Sequence, residues 1–392
     1  MKTLIELYDE TPIENVLAAD TFTPERVIYL CPEEVAKDRE KQKKLREYFA
    51  HRGLAVETVF MNTSLLYADK VRRQLQRVAE EYPDCAIDIA GGSDAALFAS
   101  GFFCRETDIS VFTHSRKKQR FFEINNAAFA DHLPFSVRYS VEDFFLMACG
   151  SVKEGRVNNE ILKVYLDRID AFFAVFLKHH KGWNHFITWM QRASPSEKNG
   201  KISLSVTCDY ELKGERGSRI QADTELLRAM ERLGFLKDLQ MEKDVSVSFR
   251  FADEQVRCWL RDQGSVLEIY TWKACLDTEL FHDVRCSTIV EWNSAERGDK
   301  VSNEIDVMAV KETIPVFISC KTCAVDTVAI NELAILRDRF GGDAAKALII
   351  STENCRAITL RRAHALNIEV ITLNDLRSVP LTEQIKAIVA AI

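Results

Sequence analysis

Near the C-terminal end, Asn303-Glu304-Ile305-Asp306-Val307-Met308-Ala309-Val310 precedes Val316-Phe317-Ile318-Ser319-Cys320-Lys321, with Pro315 in the break between them. β-Branched and apolar residues dominate both segments, which predicts two neighbouring strands. Side chains two apart on a strand share a face, so Glu304 and Asp306 stand together, as do Ser319 and Lys321. Carboxylates opposite an ammonium make a compact site for a hard divalent cation plus a charged group that orients water or offsets developing negative charge. The same residues would also serve as an ordinary cross-strand ion pair on a solvated sheet face.

The elements that must position these groups extend to both sides. Residues 264–273 open a helix from Gly264, with Glu268 one turn in. After Lys321 a second helical stretch runs from Val325 to Phe340 and closes at Gly341-Gly342, followed by the apolar strand Ala347–Ser351. This order of helix with glutamate, strand with aspartate, strand ending in lysine, helix and strand resembles the PD-(D/E)xK restriction-endonuclease-like superfamily over roughly residues 250–375. The resemblance implies Glu268 and Asp306 as ligands of Mg²⁺ or Mn²⁺ and Lys321 as the group that assists the attacking water. Glu304 is a possible extra ligand. Ser319 stands where that family carries an acid, so one ligand is missing or is supplied by Glu304, by the Cys320 carbonyl or by water.

The N-terminal part alternates strand and helix signals. Thr3–Tyr8 reads as a strand, Asp9-Glu10-Thr11-Pro12 as a turn into a helix, and further strands are expected at Val27–Cys31, Ala55–Phe60, Ala86–Ala90 and Ile109–Thr113. Such alternation predicts a doubly wound, largely parallel sheet, in which ligands bind beyond the carboxyl ends of the strands. Two segments lie at such ends: Gly91-Gly92-Ser93-Asp94, and Thr113-His114-Ser115-Arg116-Lys117 within a basic run that continues to Arg120. A Gly-Gly pair can simply permit a tight turn, and a basic run can simply be a solvated face. Neither the dinucleotide fingerprint nor the Walker pattern is present.

Taken together, the two halves resemble the CARF-domain nucleases of type III CRISPR defence, which bind a cyclic oligoadenylate across a dimer axis and then cut nucleic acid. The resemblance implies an allosteric, homodimeric, metal-dependent endonuclease activated by cyclic tetra-adenylate, cleaving DNA and in some cases RNA. Its ligand loops would be Asp9–Pro12, Gly91–Asp94 and Thr113–Lys117. The expected architecture is an N-terminal doubly wound, Rossmann-like α/β domain over residues 1–150. A small connector, whose helix followed by a strand pair is compatible with a winged-helix-like module, would span 151–250, and a restriction-endonuclease-like α/β domain 251–392. The alternative is a ligand-responsive DNA-binding regulator whose nuclease fold is degenerate, a reading that Ser319 keeps open.

Composition bounds these readings. The chain has 392 residues, 47% hydrophobic and 28% charged, as expected of a globular protein of more than one domain. No signal peptide or membrane-length apolar run is evident, and eleven cysteines without a paired framework suit reduced thiols, so a cytoplasmic protein is expected. Cys320 and Cys323 form a CxxC without a second pair, which argues against a zinc site. His179, His180 and His185, beside Trp183 and Trp189, suit a helix packed on one face better than a metal patch. The net charge of −7 leaves nucleic-acid contact to local basic groups, with Lys198, Lys201, Lys213, Arg216 and Arg219 as candidates.

Overall fold

A computed structural model describes residues 1–125, 128–195, 202–214, 217–292 and 302–390. Lys198, Lys201 and Arg216 lie outside the described residues.

The N-terminal sheet contains β1 (Thr3–Leu7), β2 (Arg26–Cys31), β3 (Glu57–Asn62), β4 (Cys85–Asp88), β5 (Val111–Ser115) and β6 (Arg120–Glu123), in the order β3-β2-β1-β4-β5-β6. All pairings are parallel except β5 with β6. Strands β1 and β2 are buried throughout or nearly so, because helices cover both faces of a parallel sheet. The order places β1 and β4 at the centre, so the chain ends after Leu7 and Asp88 open side by side. The basic run predicted to leave a strand end is instead a hairpin: β5 turns at Arg116–Gln119 and returns as β6. Gln119 takes a positive φ of 52° in that turn.

After the helix Val141–Met147 the chain forms β7 (Ser151–Glu154), and β7 pairs with a strand of the C-terminal sheet. The connector then contributes the helices Leu166–Lys178 and His180–Ala193, followed by β8 (Ser205–Asp209), β9 (Glu211–Lys213) and β10 (Arg219–Gln221). The helix Thr224–Arg232, β11 (Leu236–Glu242) and β12 (Ser246–Phe251) complete it. Strands β11, β12 and β8 form an antiparallel sheet in that order beside the Thr224–Arg232 helix. The Trp183 and Trp189 side chains are buried in this core, and His179 and His180 meet Glu225 and Glu353 at its edge. The segment around Lys213 and Arg219 is the β9–β10 hairpin, with Arg219 paired to Glu211.

The C-terminal sheet comprises β13 (Asp283–Glu291), β14 (Ser302–Lys311), β15 (Ile314–Lys321), β16 (Lys346–Ser351) and β17 (Ile368–Ile371), in the order β17-β16-β15-β14-β13-β7. It is antiparallel from β7 to β15 and parallel from β15 to β17. The helix Ser265–Asp277 packs on one face and the helix Thr327–Gly341 lies against β15 and β16. One apolar cluster runs without interruption from the N-terminal sheet (Tyr29, Phe112, Phe121) through Phe145 to Phe317 and Phe340. Phe145 and Phe340 meet edge to face at 5.0 Å across the junction. Among the described residues no helix is long and apolar enough to cross a membrane.

Candidate active site and ligand cavity

The β14–β15 ladder stops at the Val307–Ile318 pair, just before Asp306 and Ser319. Beyond that point the strands part, and a backbone N–H freed from a ladder needs another acceptor. Asp306 supplies it: its Oδ2 accepts from the Cys320 N–H at 2.6 Å and from the Ser319 hydroxyl at 3.2 Å. N–H and C=O of one strand residue leave on the same side, so the Cys320 carbonyl opens toward the same gap. The Cys320 thiol points away, to Thr271 Oγ1 at 3.5 Å on the helix Ser265–Asp277. Cys323 is exposed and free.

Glu268 reaches this gap from that helix. Asp262, just before the helix, accepts from the Gly264 and Ser265 N–H groups at 3.0 and 2.9 Å, a cap that fixes the first turn. The Glu268 side chain is buried, and its Oε2 has no hydrogen-bond partner. Burial first, then the nearby Asp306 carboxylate, push Glu268 up to about 8. Burial also raises Asp306, opposed by the Cys320 N–H, by Lys321 and by the Ser319 hydroxyl. Glu304 stands further out, where it accepts from the Ser287 hydroxyl at 2.6 Å. Lys321, Asp306 and Glu304 line one cavity of 60 Å³ with Ala329 and Glu332 of the helix Thr327–Gly341.

Arg156 was not foreseen. It follows β7, pairs with Asp262, and places its guanidinium 3.7 Å from Glu268 and 3.5 Å from Glu304. A single arginine in a polar stretch carries no sequence signal, because its partners lie more than a hundred residues away. Among the described residues, no three His, Cys, Asp or Glu side chains converge closely enough to hold a metal ion. The donor set nonetheless suits a hard cation: buried carboxylates, one with an unpartnered oxygen, beside a carbonyl.

In the N-terminal domain the expected ligand loops meet. Asp9 Oδ1 accepts from the Thr11 N–H at 2.8 Å and Oδ2 from the Gly92 N–H at 3.1 Å, tying the first loop to the second. Gly92 has φ +93°, and a β-carbon there would sit 2.8 Å from Leu7 Cβ; one on Gly91 would sit 2.7 Å from the Leu7 carbonyl. Both glycines are thus required by close chain approach. Ser93 caps the helix Asp94–Glu106 by accepting from the Ala96 N–H at 3.2 Å. Glu10 shares a cavity of 580 Å³ with Asp9, Gly92 and Ser93. Thr11, Thr113 and Pro12 are partly exposed at the rim, whereas Lys117 and Asp94 are exposed. A second cavity of 420 Å³ is lined by Asp9, Thr11, Ala90, His114, Ser115, Arg116 and Lys117, together with Asp343 and Ala344 of the C-terminal domain.

Beneath these loops lies a buried acidic cluster absent from the sequence reading. Glu6 and Asp88 face each other across β1 and β4, and both are pushed well up, by burial and by neighbouring carboxylates. Glu14 is raised to about 7, mainly by burial, and His114 is lowered to about 3, so its imidazole is neutral. His114 Nε2 lies 3.2 Å from Glu14. The signal was available: an acid inside each of two apolar strands, Leu-Ile-Glu-Leu and Ala-Ile-Asp-Ile.

Residues 253–388 match the family description "Card1-like, endonuclease domain". The C-terminal part of the chain thus carries a Card1-like endonuclease domain. Its fold is similar to that of protein VC1899 from Vibrio cholerae, with a TM-score of 0.76 at 15% identity over 98% of this chain and 97% of that one. It is also similar to Can2 from Sulfobacillus thermosulfidooxidans, in complex with cyclic tetra-adenylate, with a TM-score of 0.68 at 16% identity over 98% and 96% of the two chains. No curated protein matches the sequence. The architecture is therefore an N-terminal Rossmann-like α/β domain with a C-terminal restriction-endonuclease-like α/β domain.

Proposed function

We propose that this chain is a CARF-domain, Card1-like nuclease: a metal-dependent endonuclease of type III CRISPR defence, switched on by cyclic tetra-adenylate bound at its N-terminal loops. The observation that carries the reading is the parted β14–β15 strands, with Asp306 in the gap, Glu268 behind it and Lys321 on its rim. Glu268, Asp306 and the Cys320 carbonyl would hold Mg²⁺ or Mn²⁺, with Glu304 as a further ligand. Bound there, the cation supplies Lewis acidity toward a phosphodiester and toward water. Lys321 orients the attacking water and offsets charge that builds on the phosphoryl oxygens. Ser319 holds Asp306 in place by its hydroxyl instead of adding a carboxylate. The cavity there is small, 60 Å³, and activation would widen it.

The activator reading rests on the linked Asp9 and Gly92 loops, on the cavities beside them and on the likeness to the Can2 complex with cyclic tetra-adenylate. A second copy would pack on the helix Asp94–Glu106, where Phe98 and Phe102 are 64% and 49% exposed next to the Gly-Gly turn. Sedimentation of the Phe98→Asp, Phe102→Asp variant tests this: it should be a monomer where the parent is a dimer.

The functional test is cleavage of plasmid, single-stranded DNA and RNA in Mn²⁺, with and without cyclic tetra-adenylate, for the parent and Lys321→Ala. Cutting should require the ligand and fall about 10²–10⁴-fold in the variant. Ligand binding without cutting of any substrate would favour the regulator, in which Ser319 marks an inactive site.

A further inference from the structure

Two elements of the nuclease domain rest on one short turn of the CARF sheet. In the β5–β6 turn, Arg116 is buried and donates from Nη2 to the carbonyl of Gly341 at 2.8 Å, the last residue of the helix Thr327–Gly341. Three residues on, Gln119 donates from Nε2 to Thr313 Oγ1 at 2.8 Å. Thr313 is fully buried at the tip of the β14–β15 hairpin.

Both contacts lead directly to the catalytic gap. Asp306 lies seven residues from Thr313 along β14 and Lys321 eight along β15, roughly 25 Å of regular strand in each case. The helix that ends at Gly341 carries Ala329 and Glu332, which line the same small cavity as Asp306 and Lys321. Strands and helices of this length move as units, and the continuous apolar cluster across the junction leaves little room for independent adjustment.

The turn also faces the nucleotide-sized cavity. Arg116 and Lys117 line it with Thr11, Glu14 and Asp343; the Arg116 Nε lies 3.7 Å from Glu14, while its Nη1 is buried without an acceptor. Gly342 passes so close that a β-carbon there would lie 2.6 Å from Thr11 Cγ2 and 2.9 Å from Arg116 Nη2. An anion entering the cavity offers the missing acceptor and competes with the Gly341 carbonyl for the same guanidinium. Resting on the reading that a cyclic oligoadenylate binds here, we propose that the Arg116–Gln119 turn is the joint through which ligand re-pairing of Arg116 displaces the β14–β15 hairpin and the Thr327–Gly341 helix together, opening the catalytic gap. Arg116 and Gln119 are thus positioning residues for the nuclease site.

The test separates ligand affinity from catalytic output in the full chain. Thr313→Val removes the hairpin contact without touching the cavity or the catalytic groups, Gln119→Ala removes it together with the Gln119 bond to the Arg116 carbonyl, and Thr313→Ser retains the hydroxyl. Calorimetric titration with cyclic tetra-adenylate should give affinities within about threefold of the parent for all three. Cleavage at saturating ligand should fall at least tenfold in Gln119→Ala and Thr313→Val, with Thr313→Ser close to the parent. Thermal unfolding midpoints near that of the parent establish that the variants are folded, and any one folded hydroxyl-lacking or amide-lacking variant suffices. Parent-like cleavage by such variants at saturating ligand would overturn the joint alone. A parent protein that the ligand does not stimulate would overturn the activator reading, and the joint with it.

Discussion

Glu268→Gln should make the metal-free protein less sensitive to rising pH while removing its ability to cut. The Glu268 carboxyl is buried beside Asp306 and pushed up to about 8, against 4.5 for the free side chain. A native value above the unfolded one means that the folded chain binds the extra proton. Stability is therefore full below 4.5 and is lost as pH rises toward about 8. Integrating that linkage from pH 6 to 8 gives a loss of about 2 kcal/mol attributable to this group, which for a domain of this size is about 4–8 °C in Tm. Glutamine has the same shape and does not titrate. The assay is thermal unfolding of both proteins in EDTA across pH 6–8. The buried acids Glu6, Asp88 and Glu14 titrate equally in the two and cancel in the difference. Curves that stay parallel across this range would refute the burial of a proton on Glu268. In Mn²⁺ the same variant should lose cleavage by at least about 10²-fold, since the unpartnered Oε2 is gone.

Arg156→Gln should tighten Mn²⁺ binding by about tenfold, because the competing cation 3.5–3.7 Å from Glu304 and Glu268 is removed; weaker binding by electron paramagnetic resonance titration would show that Arg156 supports the site instead. Arg52→Met should cost about 3 kcal/mol in urea unfolding. Arg52 is the cation at 3.1 Å from buried Asp143 and 3.9 Å from buried Asp20, which burial already raises to about 6. Gly92→Val, at φ +93° and against Leu7, should lower CARF-domain stability by about 1–3 kcal/mol, and unchanged unfolding would mean that the turn can relax.

Much of this architecture could be read from the chain before any coordinates. Alternation of apolar strands with amphipathic helices dictated the N-terminal sheet, and the Glu-Ile-Asp and Ser-Cys-Lys strands were recognisable because their period of two is local information. Local signals miss what is assembled from afar. Strand β13 is interrupted by polar and charged residues, and β7 is four residues long, so neither rises above its surroundings. The basic run gave no hint of its turn, since Gln119 rather than glycine takes the positive φ. Arg116 looked like a phosphate ligand by charge and position; the structure shows it buried and bonded across the domain junction. Arg156 belongs to the same class, a cation defined only by distant carboxylates.

Strand β7 opens the segment expected to be the connector, yet it closes the edge of the C-terminal sheet by pairing with β13, ahead of the connector's own helices. The sheet is therefore not encoded by one contiguous stretch. A fragment trimmed to the matched residues 253–388 would expose the β13 edge, an open template for aggregation, and would lose Arg156 with it. The N-terminal part of the chain and the endonuclease domain are thus interleaved, and neither can be exchanged as one contiguous cassette without cutting through the sheet.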